Sequence, residues 1–135
     1  MKDKIKAAVL GSFIADALAL GVHWVYNTRV IDKKFGRVES YLDPLTSYHK
    51  GKKAGEQTHF GDQMLVLMES VAAVSGFELE DFSRRWQTLF ESYTGYFDGA
   101  TKDTLQNLSA GQDINACGSS SDDLAGASRI TPLFI

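Results

Sequence analysis

The chain has 135 residues, of which 44% are hydrophobic, enough apolar surface for one small core and for no more than a single domain over 1–135. Its 14 basic and 17 acidic side chains give a formal net charge of -3, and no basic run exceeds the Lys-Lys pairs at 33–34 and 52–53, so nucleic acid is not expected as a partner. Cys117 is the single cysteine, which excludes an intrachain disulfide and suits a reducing cytoplasm.

In chain order the periodicity is helical. Ile5, Val9, Phe13, Ala17 and Leu20 recur at helical spacing, and the small residues Ala7, Ala8, Gly11, Ser12 and Ala15 suit close approach of a second helix. Asp16 interrupts this apolar segment and Asp3 spoils a basic flank, so it reads as a soluble helix. It is neither a signal peptide nor one of the apolar runs of roughly 18 residues that cross membranes. Residues 27–61 are rich in Lys, Gly, Tyr and Asp and contain Pro44, which predicts a long irregular segment. A buried helix is expected from Gly61 or Asp62 to about Val74, stopped near Gly76, and packed through its Met64–Met68 run on Ala8, Ser12 and Ala15. Phe82, Trp86, Leu89, Phe90 and Tyr93 mark an amphipathic helix from about Glu78, with Arg84, Arg85, Gln87 and Glu91 toward solvent. A shorter helix follows over Ala100–Ala110, closed by Gly111; a Gly/Ser/Asn loop over Gln112–Asp122 leads to a last helix near Leu124, capped by Ser121 or Asp122. The terminal ITPLFI is an apolar run with no following element to cover it. The fold class is all-α, a multi-helix orthogonal bundle.

Chemistry concentrates in two places. Asp16 sits inside an apolar helix, where a buried carboxylate needs a donor or lines a site. Thr58, His59 and Asp62 cluster at a helix start, where hydroxyl and carboxylate serve equally as caps or as ligands. His23, in HWVY, is either packed against aromatics or a ligand.

The segments ADALAL, THFGDQM, GYFDGATKDTLQNLSAG and LAGASRITPLF, in that order, resemble the ADP-ribosylglycohydrolase family, which has a lens-crystallin branch. The resemblance implies an all-α fold of which this chain is the first half, and a pair of divalent metal ions, magnesium or manganese, that assist cleavage of a glycosidic bond to ADP-ribose. The family's Gly-Asp-Ala-Leu-Gly motif, followed by a Glu, is matched by Ala15–Ala19 with Asp16 retained and His23 at the acid's place. Its Thr-Asp-Asp-Thr motif is matched by Thr58, His59, Phe60, Gly61 and Asp62, and its Asn-Gly-x-x-Met-Arg-x-x-Pro-Leu motif by Arg129, Pro132 and Leu133 with Leu124 and Ala125 at the Asn-Gly; a downstream Asp-x-Asp cluster has no counterpart. The resemblance thus implies Asp16, His23 and His59 as catalytic groups, Thr58 and Asp62 as metal ligands, and Gly118, Ser119 and Ser120 as a backbone cradle for substrate phosphate. The substrate implied is an ADP-ribosylated protein or a small ADP-ribose-like molecule.

Two other classes stand beside this one: a non-catalytic, crystallin-like relative that has lost its ligands, and a helical interaction module. With so few oxygen donors, the isolated chain is expected to bind metal weakly or not at all, to hydrolyse little, to associate with itself or with a missing C-terminal half, and to reside in the cytoplasm without membrane contact.

Overall fold

The computed structural model describes residues 1–135 and contains six α-helices and no strand: α1 (Lys2–Ala19), α2 (Thr28–Phe35), α3 (His59–Val74), α4 (Leu79–Glu91), α5 (Gly99–Ser109) and α6 (Ala125–Ser128), with short 3-10 turns at Leu20–Val22, Ser47–His49 and Thr131–Phe134. Helix α3 is the hub, packing against α4, α1 and the C-terminal 3-10 turn.

The face of α1 turned inward is Val9, Ser12, Phe13, Asp16 and Ala17, continued by Leu20, at the spacing of one helical stripe. Ser12 Oγ lies 3.4 Å from Met64 Sδ and 2.8 Å from Thr131 Oγ1, joining three elements at one point. Ala8 and Ala15, expected at the α3 contact, are exposed, because the stripe that meets α3 is rotated toward Ser12 and Asp16. The opposite face leaves Leu10 61% and Ile14 56% exposed. Together with its 3-10 extension, this helical segment, Lys2–Val22, is long and apolar enough by composition to cross a membrane, contrary to the expectation from runs alone. In this fold it is a packed helix whose Asp16 is tied to α3.

Helix α3 begins at His59, earlier than Gly61, because Thr58 is its N-cap: the Thr58 hydroxyl accepts from the Phe60 amide at 3.1 Å. It ends with Ser75, not Gly76, in the left-handed conformation (φ 56°). Leu65 points outward in a run expected to be buried on all sides. Val66, Trp86 and Phe90 form the core between α3 and α4, with Phe82, Leu89, Tyr93, Phe97, Leu105 and Leu108 packed around it. On α4, Arg84 and Glu91 face solvent, while Arg85 and Gln87 are half-buried; Arg85 pairs with Asp81 at 2.6 Å.

The expected irregular segment 27–61 is partly ordered. Asn27 caps α2 by accepting from the Arg29 amide, and the 3-10 turn Ser47–His49 places His49 inside the protein. The loop is held against the 3-10 turn that follows α1, where Leu42 packs on Gly21 at a distance that leaves no room for a Cβ, and where the Leu45 amide donates to Gly21 O. Helix α6 is a single turn starting at Ala125, and Asp123, rather than Ser121 or Asp122, accepts from the Ala125 amide.

Candidate functional site

The N-terminus of α3 brings together residues from four separate stretches. Asp16 of α1 accepts the Thr58 amide at 2.7 Å on one oxygen and the Thr58 hydroxyl at 2.6 Å on the other. With its side-chain amide turned to satisfy both neighbours, Gln57 adds a donor to Asp16 at 3.0 Å. This close approach of α1 and α3 depends on Gly61, since a Cβ there would collide with the Asp16 carboxylate and the Gln57 amide. Burial raises the pKa of Asp16; the Thr58 hydrogen bonds oppose the shift, and the nearby Asp62 adds to it.

Asp62, one turn into α3, receives the Lys52 ammonium at 2.6 Å and the Tyr93 hydroxyl at 2.5 Å on the same oxygen. Burial and the Asp62 carboxylate together hold the Tyr93 hydroxyl far above its ordinary pKa, so it remains a donor. Asp62 is therefore not an N-cap, the role that Thr58 fills.

All three histidines of the chain meet beside these carboxylates. His23 Nδ1 and His49 Nε2 are 2.7 Å apart, and ligand atoms of His23, His49 and His59 all lie within 4.8 Å of one another. Desolvation lowers the pKa of His23 and of His49 to about 4, reinforced in each by neighbouring imidazoles, so both rings are neutral near pH 7. His59 is fully buried, and its Nε2 lies 3.3 Å from Asp98 Oδ2, close enough for attraction but without the alignment of a hydrogen bond; neither ring nitrogen has a hydrogen-bond partner. Burial alone would raise the Asp98 pKa, but the His59 ring and the Thr101 amide outweigh it and hold the carboxyl at about 2. Trp24 stacks on the cluster, with ring centroids 4.4 Å from His23, 5.3 Å from His49 and 5.1 Å from His59. It does so from a left-handed backbone conformation (φ 63°), rare for a bulky residue and costing about 1–3 kcal/mol. Phe60 and Tyr96 close the aromatic wall.

Asp16, His23, Thr58, His59 and Asp62 thus share one neighbourhood. Gly118, Ser119 and Ser120 make no hydrogen bond to it: Gly118 and Ser120 are exposed, and the Ser119 hydroxyl is engaged with Asp103 and with the Ser121 amide. Ser119 instead lines a shallow cavity of about 220 Å³ shared with Thr101, Asp123 and Arg129. Arg129 pairs with Gln63 and donates to Ala125 O at 2.9 Å, while Gln63 also accepts from the Trp86 indole at 2.8 Å.

Sequence reasoning missed His49, Asp98 and Lys52 and took Tyr93 for core alone, while the expected packing of His23 on the aromatics of HWVY is met by Trp24. A signal for the cluster was present: each of the three histidines has an aromatic neighbour, in His23-Trp24, Tyr48-His49 and His59-Phe60.

These residues do not fit a pair of magnesium ions. Such ions require several free oxygen donors each, yet both Asp16 oxygens and the Thr58 hydroxyl are committed to one another, and an ammonium already neutralises Asp62.

A family model described as ADP-ribosylglycohydrolase matches residues 1–135. Crystallin J1A of Tripedalia cystophora is 29% identical over 110 residues, covering 77% of this chain and 33% of its own length. Crystallin J1B of the same organism is 30% identical over 111 residues, covering 78% of this chain and 33% of its own. An "Uncharacterized protein" of Archaeoglobus fulgidus is 28% identical over 134 residues, 98% of this chain and 43% of its own. The chain spans between a third and just under a half of the curated relatives it matches. No solved structure matches it. With its helical architecture and a family match along its whole length, the chain belongs to the ADP-ribosylglycohydrolase family.

Proposed function

We propose that this chain supplies one wall of the active site of an ADP-ribosylglycohydrolase-like hydrolase that cleaves a glycosidic bond to ADP-ribose. The observation that carries this reading is that Asp16 on α1 and Asp62 on α3 lie near enough to influence one another yet have unlike partners, Thr58 for the first and Lys52 and Tyr93 for the second. Glycosidic cleavage needs one carboxyl that holds a proton and one carboxylate that takes it or offsets developing positive charge. Burial tilts Asp16 toward the first role against the pull of its Thr58 hydrogen bonds, and Asp62, held by Lys52 and Tyr93, suits the second. The rest of the substrate site falls to the remainder of a longer protein or to a second copy, which would also cover exposed apolar residues such as Leu10 and Ile14 on α1.

The test is release of ADP-ribose from an ADP-ribosylated peptide. Activity that falls at least about 100-fold in Asp62→Asn, with helical content unchanged, supports this reading. A second reading, a crystallin-like relative without catalysis, is favoured by how fully the Thr58 donors saturate Asp16. No release of product and no ADP-ribose binding by the folded wild-type chain together with the segment or copy that completes its wall would establish it in place of the first.

A further inference from the structure

We propose that His23, His49 and His59 form a binding site for one transition-metal ion of the zinc class, with Asp98 as the carboxylate that orients His59. The inference rests on the histidine geometry and is independent of the hydrolase reading.

It begins with an unsolved hydrogen-bond problem. A neutral imidazole carries one N–H and one lone pair. His23 and His49 satisfy one nitrogen each by facing one another at 2.7 Å. His59 satisfies neither: both its ring nitrogens are buried without partners, as is Asp98 Oδ2 only 3.3 Å from Nε2. Orphaned buried polar atoms cost about 1–3 kcal/mol each and are rare enough to call for an explanation. An ion between the three rings resolves them together. It takes one lone pair from each histidine, and a carboxylate beside a ligating histidine then fixes the tautomer and strengthens the donor.

The distances suit this assignment. Nitrogen ligands about 2.0–2.1 Å from a tetrahedral ion lie about 3.3 Å from one another. The His23–His49 pair at 2.7 Å must open slightly, and the other pairs, all within 4.8 Å, must close by no more than about 1.5 Å, which side-chain rotation supplies. Three imidazoles select zinc, cobalt, nickel or copper over magnesium. Trp24, Phe60 and Tyr96 surround the rings with an apolar shell, and Trp24 is held there in spite of its strained backbone, as expected where strain serves a site. The sequence-based expectation of weak metal binding rested on too few oxygen donors; the fold supplies three imidazole nitrogens and Asp98 instead.

The experiment is calorimetric titration of the full chain with zinc, cobalt and magnesium, beside the visible spectrum of the cobalt form. One zinc or cobalt ion per chain, a cobalt spectrum of tetrahedral nitrogen-rich coordination and no response to magnesium are expected. His49→Ala and the half-buried His23→Gln, each checked for helical content, should weaken zinc binding by at least about 100-fold, and Asp98→Asn by about 10–100-fold. Cys117→Ser should bind as the wild type does. Absence of stoichiometric zinc and cobalt binding by the folded wild type, full binding in His23→Gln, or loss of binding in Cys117→Ser would overturn the proposal. Because His23 is the least buried of the three, its variant decides the matter if His49→Ala fails to fold.

Discussion

Asp16 and Thr58, 42 positions apart in the chain, are joined by two hydrogen bonds, from the Thr58 amide at 2.7 Å and its hydroxyl at 2.6 Å. The same hydroxyl accepts from the Phe60 amide, so one threonine caps α3 and fastens it to α1. Thr58→Val, which keeps the shape and removes the hydroxyl, is expected to destabilise the fold by about 2–3 kcal/mol, combining loss of a cap with loss of a bond to a carboxylate. Urea unfolding followed by circular dichroism measures this. A loss under half a kilocalorie would mean that the α1–α3 contact holds without the bond.

Gly61 supplies a prediction of opposite sign to the helix-propensity rule. Glycine to alanine inside a helix ordinarily stabilises by about 1 kcal/mol. At this position the added methyl meets the Asp16 carboxylate and the Gln57 amide, and one of the affected atoms is anchored by Thr58. Gly61→Ala is therefore expected to lose about 1–3 kcal/mol by overpacking. The exposed Gly126, with no atom near its absent Cβ, serves as the control on a helix of the same protein. Equal melting temperatures for Gly61→Ala and the wild type would contradict the close approach.

Metal-free protein should lose stability in mildly acid solution. His23 and His49 have pKa values lowered from 6.5 to about 4, by desolvation first and neighbouring imidazoles second. Folded rings bind protons less readily than unfolded ones, so this contribution is fully present above pH 6.5 and is lost as pH falls from there toward about 4. Denaturant midpoints measured across that window in the presence of a chelator should fall with pH, and the fall should shrink in His23→Gln. A flat profile in the wild type would contradict the burial of the two rings.

Leu10 and Ile14 on the outer face of α1 are exposed, as are Leu133, Phe134 and Ile135 at the C-terminus, and this apolar surface is expected to drive association of the isolated chain. Sedimentation velocity should show a concentration-dependent species larger than the monomer, and Leu10→Lys with Ile14→Lys should remove it. A wild type that stays monomeric at high concentration would show that this face tolerates water.

The helices of this protein were legible in sequence wherever apolar spacing was regular. Val9 and Ala17 in α1, Leu20 directly after it, and Trp86 and Phe90 in α4 are buried as their period requires, because burial of one stripe is a local property of helix geometry. The capping role of Thr58 was equally local. What the sequence could not settle is which stripe of α1 meets α3: several faces of that helix are apolar, and the choice follows from the Asp16–Thr58 bonds and the room left by Gly61. Nor could it order the segment before α3, where α2 and the turn carrying His49 form within a polar, glycine-rich stretch and His49 is buried through contacts with His23 and Trp24. Local pattern records the period of a helix and the chemistry of its ends. The meeting of His23, His49, His59 and Asp98 depends on where four distant backbone segments cross, and only the tertiary structure decides that.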